Sequence, residues 1–182
     1  AAAQAKGVDK YSDQTFKAAT AALDNKVFSG ARERPVGVPR HLKGKEAALF
    51  RKGAEIYSRE AHCATCHQPN GGGLPAAGFP PIAGTEWMLK DDERLIKLTL
   101  KGLIGPITVK GVKYPGQVPM TPFEHLLKDD EIAAVLTFAR NSFGNKASPI
   151  SAEQVAKVRA AMKDKKDLYN VEDLLKEHPL GK

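Results

Sequence analysis

The sequence is short of several features, and each shortage excludes a class of protein. It has two cysteines in 182 residues, too few for a disulfide scaffold or a four-cysteine zinc site. No apolar run approaches the roughly eighteen residues needed to span a bilayer. The first five residues contain neither the basic nor the apolar part of a signal peptide. We therefore interpret the N-terminus as a mature end after processing, or as a cut from a longer chain.

Positive charge is also not concentrated on any one element. The net charge is +7, of which residues 1–44 carry +4, residues 45–145 carry +1 and residues 146–182 carry +2. The lysines are scattered among acidic residues, unlike the clustered pattern of a nucleic-acid-binding protein. This pattern predicts a solvated surface that slightly favours an acidic protein partner, and no nucleic-acid partner.

Breakers and motifs divide the chain into three sections. We predict an N-terminal arm over residues 1–44, a central domain over 45–145 and a C-terminal extension over 146–182. The arm contains one predicted helix, over 13–23, before glycines and prolines interrupt it. No internal repeat or low-complexity tract is visible in the sequence.

The C-terminal extension shows two helical patterns. Ser151 is a good N-cap for a helix that would bury Val155 and Val158 on one face. A short second helix is predicted near 171–176. Met162 is expected on an exposed helix surface.

Helical periodicity dominates the central domain. It predicts helices over 45–60, 91–101 and 128–140, and the last two begin with acidic residues, which the helix dipole favours there. The residues expected on the buried face of the first helix are Ala48, Leu49, Ile56 and Tyr57. Residues 107–114 predict a small hairpin turning at Lys110 and Gly111. The predicted class is all-α with long ordered loops.

The stretch Cys63 to His67 carries the chemistry. Its two cysteines are three residues apart, so on a helix they lie one turn from each other and match the two vinyl groups on one edge of a haem. His67 follows Cys66 directly and would direct its imidazole at the iron. We predict one haem c, attached by thioethers from Cys63 and Cys66.

Two other roles for the cysteine pair are less favoured. A redox dithiol usually opens a helix directly after a strand, whereas this pair follows a predicted helix. A zinc site needs two further ligands at ordered spacing. The remaining histidines are scattered along the chain: His41, His62, His125 and His178.

Met120 is the predicted sixth ligand of the iron. A thioether suits an electron-transfer haem because it favours the ferrous state. Met120 lies between Pro119 and Pro122, which restrict the backbone and hold the side chain at little ordering cost. The alternatives are that Met120 only fills a gap in the core, or that His125, interpreted as a surface histidine, is the ligand.

Residues 45–145 resemble a class I cytochrome c. The resemblance is carried, in chain order, by Gly53, Tyr57, residues 63–67, residues 79–84, Met120 and a closing helix over 130–141. It implies a cytochrome c-like helical fold around one covalent haem. Together with the local patterns, the prediction is an all-α fold of that kind with a small β-hairpin and helical N- and C-terminal extensions. The resemblance also implies that the first and last helices cross beside the haem, with Gly53 and Tyr57 against Val135 and Phe138.

The resemblance implies further roles in haem binding. The carbonyl of Pro80, or failing that of Pro81, would accept the Nδ1 proton of His67 and orient its ring. The indole N–H of Trp87 would donate to a haem propionate. The segment 102–120 is similar to haem domains that are fused to, or partnered with, periplasmic dehydrogenases and reductases.

The predicted function is single-electron transfer between redox protein partners through a six-coordinate His/Met haem c, with no catalytic activity of the chain's own. A periplasmic dehydrogenase, a reductase or a terminal oxidase would be the donor or acceptor, in a bacterial periplasm. The alternatives are the haem c domain of a larger oxidoreductase, and a haem-based enzyme or gas-binding protein with a displaceable sixth ligand. For the latter, the sequence offers no strong candidate to act on a bound ligand, since Arg94 and His125 are near the motifs only in sequence.

Overall fold

The computed structural model describes residues 37–59, 61 and 63–181. The helix predicted over 13–23 lies outside these residues. A compact unit begins at Val38 and includes both the central section and the tail. The boundaries near residues 44 and 145 stay predictions. Within the described residues, no helix is long and apolar enough to cross a membrane.

The described part of the chain is mostly helical, as predicted. Its helices are α1 (Gly44–Ser58), α2 (Cys63–His67), α3 (Glu86–Leu89), α4 (Asp92–Lys101), α5 (Asp129–Arg140), α6 (Ala152–Ala161) and α7 (Val171–Glu177). Its strands are β1 (Leu103–Ile104), β2 (Ile107–Val109), β3 (Val112–Tyr114) and β4 (Tyr169–Asn170), and a 3₁₀ turn covers Pro75–Ala77. The predicted hairpin is confirmed as β2 and β3. Strand β1 pairs in parallel with β4 of the tail, which was not predicted.

The crossing of α1 and α5 organises the core. A Cβ placed on Gly53 would lie 2.7 Å from the Cβ of Phe138 and closer still to the carbonyl oxygen of Ala134. Only glycine permits this approach of the two backbones. The rings of Tyr57 and Phe138 pack with centroids 5.2 Å apart. The predicted crossing is confirmed, but the atoms nearest Gly53 belong to Ala134 rather than Val135, which lines the cavity described below.

The buried face of α1 differs in part from the prediction. Its buried residues are Phe50, Gly53, Ile56 and Tyr57, which repeat at helical spacing. The prediction is confirmed for Ile56 and Tyr57 and wrong for Ala48, which is exposed. A single methyl group is compatible with either face, so Ala48 carried little information about the orientation of the helix.

Side-chain caps begin α4 and α6. The Asp91 carboxylate accepts the backbone N–H of Arg94 at 2.9 Å and starts α4. The Ser151 hydroxyl accepts the N–H of Gln154 at 3.2 Å, and the Gln154 side chain accepts the N–H of Ser151 at 2.8 Å. This reciprocal capping box confirms the predicted start of α6.

The tail is buried against the central section. Helix α6 buries Val155 and Val158, as predicted, and α7 buries Leu174. The expectation that Met162 lies on a surface is wrong, because Met162 is 5% exposed and belongs to the hydrophobic core. It follows α6 directly, where the chain turns back onto the central section.

Arg94 fastens the far end of the tail. Its guanidinium is fully buried and donates to the carbonyls of Glu86 at 2.8 Å, His178 at 3.3 Å and Pro179 at 3.2 Å. It also lies over the ring of Trp87, 5.3 Å from its centroid. Because its Nη1 and Nη2 groups donate to these carbonyls, Arg94 anchors the tail.

Candidate functional site

An apolar cavity of about 330 Å³ lies between the helices of the central section. Its walls come from α1 through α5, strands β1 and β2, and the loop around Met120. No Asp, Glu, Lys or Arg is among the described residues that line it. The lining includes the residues predicted to bind a cofactor: Cys63, Cys66, His67, Pro80, Trp87 and Met120.

Helix α2 presents both cysteines to the cavity. Burial raises the pKa of Cys63 to about 12, and burial also raises the pKa of Cys66. A redox dithiol depends on the opposite shift, a lowered pKa that produces the thiolate. Among the described residues, no group of three His, Cys, Asp or Glu side chains could hold a metal ion, so a zinc site is not built there.

The ring of His67 is held in one tautomer. Its Nδ1 lies 2.9 Å from the carbonyl oxygen of Pro80. A carbonyl only accepts, so Nδ1 carries the proton and the lone pair of Nε2 is available to a metal. Burial lowers the pKa of His67, and the hydrogen bond to Pro80 opposes that effect only in part. The neutral imidazole that an iron requires is therefore the form present at neutral pH.

A tightly bonded loop holds Pro80 beside His67. The carbonyl of His67 accepts the N–H of Gly73 at 3.0 Å, and the carbonyl of Gly71 accepts the N–H of Ile82 at 2.9 Å. These bonds close the chain on itself directly after the cysteine motif. Residues close in sequence thus hold the histidine and its hydrogen-bond partner, and Asn145 fixes the end of the loop by donating to the carbonyl of Ile82 at 3.3 Å.

Met120 lines the same cavity from another loop. Its N–H donates to the carbonyl of Leu103 at 2.9 Å, and its own carbonyl accepts the N–H of Leu103 at 3.3 Å. Of the two other methionines, Met88 also lines the cavity, whereas Met162 does not. The prediction that Met120 is the iron ligand stays a prediction.

Trp87 lines the cavity from α3, but its indole N–H is already used. It donates to the carbonyl of Thr108 in β2 at 3.1 Å and so docks the hairpin onto the helix. The predicted bond to a haem propionate stays a prediction, and it would require the N–H to leave or share this carbonyl. The sequence indicated the hairpin and gave no signal that it packs on Trp87.

The two residues considered for a ligand-binding role at the iron lie elsewhere. The guanidinium of Arg94 is bonded to the carbonyls described above. The side chain of His125 is 89% exposed and lies 3.1 Å from the Glu124 carboxylate. Neither lines the cavity. His67 is the one imidazole among the described lining residues.

The cavity fits a haem by the chemistry of its donors. Its apolar walls match a porphyrin, two thiols lie one turn apart on α2, and the Nε2 of the adjacent His67 is unprotonated. A sequence profile described as cytochrome c matches residues 50–143, more than half of the chain. The chain belongs to the cytochrome c family. This cytochrome c is an electron carrier whose haem is attached covalently through Cys63 and Cys66.

Individual relatives agree with the family assignment. Cytochrome c-552 of Thermus thermophilus is 47% identical over 128 residues, which cover 65% of this chain and 82% of that protein. The cytochrome c subunit of a quinone alcohol dehydrogenase from Gluconobacter oxydans is 36% identical over 124 residues. That match covers 64% of this chain but 25% of the subunit. The resemblance to class I cytochrome c inferred from the motifs is thereby confirmed.

Proposed function

We propose that His67 and Met120 are the two axial ligands of the haem iron, and that the chain passes single electrons between redox proteins. One observation carries the proposal: the unprotonated Nε2 of His67 and the thioether of Met120 line the same apolar cavity as the two cysteines. Bound haem supplies a one-electron ferric/ferrous couple, and a thioether ligand favours the ferrous state.

The protein's own contribution is to exclude water and to fix the ligands. The cavity walls carry no formal charge among the described residues, so they do not solvate the more highly charged ferric state. The carbonyl of Pro80 makes the imidazole of His67 a better donor to the metal. The two hydrogen bonds between Met120 and Leu103 fix the backbone that carries the sulfur.

The lining favours electron transfer over gas binding or peroxidase chemistry. Those activities use a polar side chain, such as a second histidine or an arginine, beside the ligand on the iron. Within the described lining, and with both cysteines taken up by the haem, the polar side chains besides His67 are hydroxyls and the bonded indole of Trp87. A thioether in the sixth position of the iron would leave no open position for a ligand or substrate, as expected of an electron carrier.

Redox proteins in a bacterial periplasm are the proposed partners. The exposed residues Thr65 and Val118 border the cavity, next to the cysteine motif and the Met120 loop respectively. A partner that docks there transiently would approach the cofactor without entering the cavity. The net charge of +7 favours an acidic partner. The cytochrome c subunits named for quinone alcohol and gluconate dehydrogenases support a dehydrogenase as electron donor.

A second candidate function is supported by the same relatives. The alignment with the quinone alcohol dehydrogenase subunit covers 25% of that subunit, about one domain of a longer chain. In this candidate function, the chain would serve as one haem module of a larger oxidoreductase. In that role the electron would pass within a complex, and the chemistry at the haem would be unchanged.

Optical spectra of two matched variants test the ligand assignment. Met120→Leu and Met88→Leu each replace a cavity-lining thioether with an apolar group of similar size. We expect the ferric charge-transfer band of a methionine ligand in the wild type and in Met88→Leu, and its loss in Met120→Leu. The reduced Met120→Leu protein should bind carbon monoxide, and the other two should not.

Each other outcome of the spectra has a defined meaning. Loss of the band in Met88→Leu alone would make Met88 the ligand. A high-spin ferric wild type, or rapid carbon monoxide binding by it, would overturn the six-coordinate assignment. The partner is tested separately by the rate of reduction by a quinone-dependent dehydrogenase; with an acidic partner this rate should fall as ionic strength rises.

A further inference from the structure

We propose that residues 165–170 of the tail are a positioning element for Met120. They support, from the side away from the cavity, the loop that carries the sulfur, and so keep the thioether in place. The inference rests on the proposed function, because it takes Met120 as the iron ligand. It assigns to the tail a role in the site itself, beyond that of covering the core.

Backbone pairing links the tail to Met120 through one strand. Leu103 in β1 exchanges two hydrogen bonds with Met120 on one side. On its other side Leu103 is paired in parallel with Tyr169, whose N–H donates to the carbonyl of Gly102 at 3.2 Å. Strand β1 is therefore held between the proposed ligand and the tail. Without β4, one edge of this two-residue strand would lose its partner.

Gly102 is the point where the tail and the Met120 loop touch. Its φ of +73° is in the region that favours glycine. A Cβ placed there would lie 2.5 Å from Cδ2 of Leu168, 3.1 Å from the nitrogen of Pro122 and closer still to the carbonyl oxygen of Met120. No side chain separates the two segments at Gly102. Removing the end of the Leu168 side chain would leave a void beside the backbone of Met120.

The ammonium group of Lys101 joins the same two segments. Lys101 is 5% exposed, and its Nζ donates to the carbonyl of Lys165 at 2.6 Å. The same Nζ forms an ion pair with the carboxylate of Glu124, four residues after Met120. A buried ammonium needs both partners to offset its loss of water. Lys101 therefore ties the position of residue 165 to that of the chain that follows Met120.

Arg159 in α6 fixes the next part of that chain. Its Nη2 donates to the carbonyl of Leu127 at 2.9 Å, and its Nε donates to the carboxylate of Asp129 at 2.7 Å. Another of its nitrogens donates to the carbonyl of Glu124. From residue 124 to residue 129 the chain is thus held by a side chain of the tail. The Met120 loop can keep all of the contacts of Lys101 and Arg159 in only a few positions.

These contacts are expected to control access to the iron. An exogenous ligand binds only when the sulfur has left, so its apparent affinity is proportional to the fraction of molecules with an open loop. In the closed state the loop keeps the sulfur on the iron. Weakening a contact that is made only in the closed state raises the fraction of molecules with an open loop. The apparent affinity then rises by the same factor, whereas a contact elsewhere in the tail leaves it unchanged.

Imidazole binding to the ferric holoprotein measures this effect. The test variant is Leu168→Ala, and the matched control is Leu180→Ala, a tail leucine that is also partly buried and packs against the core. We expect imidazole to bind Leu168→Ala about tenfold more tightly than the wild type, and the methionine charge-transfer band to weaken. The affinity of Leu180→Ala should stay within about twofold of the wild type.

A second pair of variants tests the polar link. Lys101→Met removes the contact with Lys165 and Glu124. Its control, Lys52→Met in α1, removes an ion pair with Asp130 of α5, with Nζ and Oδ2 2.6 Å apart. Only Lys101→Met should raise imidazole affinity. If Leu168→Ala does not fold, the lysine variant and its control still test the inference.

The outcomes separate failure of this inference from failure of the proposed function. Unfolding by urea is measured for all four variants. Imidazole affinity could follow overall stability in test and control variants alike, or it could change in neither. Either result would mean that the tail does not position Met120. The inference would then be overturned and the proposed function would stand. If the wild type and Met120→Leu bind imidazole equally well, Met120 is not the ligand, and the proposed function is overturned with it.

Discussion

His67 and Met120 line the same cavity, but contacts of very different reach along the chain hold them. The partner of His67 is Pro80, thirteen residues away, in a loop closed by its own backbone hydrogen bonds. Met120 is bonded to Leu103, which is paired in turn with Tyr169, and Lys101 reaches Lys165 sixty-four residues further on. The direct partner of His67 is local and the loop around it is bonded within the central section, whereas the methionine side depends on the tail.

This difference means that the two sides can be perturbed separately. A change that detaches the tail should disturb the methionine side first, because the hydrogen bonds around His67 come from residues 57–145 of the described chain and not from the tail. A change at the crossing of α1 and α5 should disturb both. The predictions below use this distinction.

Gly53→Ala should have the largest effect, because it breaks the frame that both sides share. The new Cβ would overlap the carbonyl of Ala134, a backbone atom that cannot move without shifting α5. We expect a loss of at least about 3 kcal/mol in the free energy of unfolding. Urea unfolding followed by circular dichroism checks this. Arg51→Ala, on the exposed face of the same helix, should change stability by less than about 0.5 kcal/mol.

Leu174→Ala should make the methionine side of the cavity less stable to urea than the rest of the domain. Leu174 in α7 is fully buried, and its truncation should cost about 2–3 kcal/mol. Because the loss falls on the tail, the methionine charge-transfer band should disappear at a lower urea concentration than the helical circular dichroism signal. Coincident transitions would show instead that the tail and the central section unfold as one unit.

Asp91→Asn should weaken the tail in a pH-dependent manner. Burial raises the pKa of Asp91, but the N–H of Arg94 and the ring of His178 lower it more, so its pKa is below the ordinary value. The carboxylate therefore contributes stability above pH of about 4, which is lost as pH falls through its folded pKa.

At pH 7, we expect Asp91→Asn to lose up to about 1 kcal/mol of the free energy of unfolding, because asparagine still caps α4 but lacks the negative charge that favours the helix N-terminus and strengthens the hydrogen bonds. Below the folded pKa of Asp91, the difference from the wild type should shrink, because the wild-type carboxyl is then also neutral. Urea unfolding at both pH values measures this. Asp173→Asn, at an exposed position of α7, serves as the control and should show neither effect.

Pro80→Ala should have the smallest effect, because the group that His67 uses is the backbone carbonyl, which alanine retains. We expect less than about 1 kcal/mol of destabilisation, from the added freedom of the unfolded chain. The spectrum of the low-spin haem and the imidazole affinity should match those of the wild type. A changed spectrum would mean that the proline ring itself orients His67.

The features that sequence predicted well depend on neighbours along the chain. Ser151 caps α6, Lys110 and Gly111 turn the hairpin, and Cys63 to His67 marks the haem attachment site. Each signal lies within a few residues, and each has a physical mechanism that acts at that range. The family resemblance added the crossing of α1 and α5, which no local pattern indicates.

The features that sequence missed depend on distant partners. Strands β1 and β4 have two residues each, too few to show the alternation that marks a strand. Burial of Met162 follows from the way the tail turns back, and the bond from Trp87 to Thr108 follows from where the hairpin docks. In each case the deciding contact joins segments whose separation in sequence carries no local signal.

The parallel pairing of Leu103 with Tyr169 also sets the order in which parts of the protein can fold. A nascent chain has both cysteines, His67 and the carbonyl that orients its ring once Pro80 is available. It cannot close the methionine side until residue 170 has emerged, and closing so long a loop is slow. The cysteines that anchor the cofactor are therefore presented before its second axial position is enclosed, so anchoring comes before enclosure.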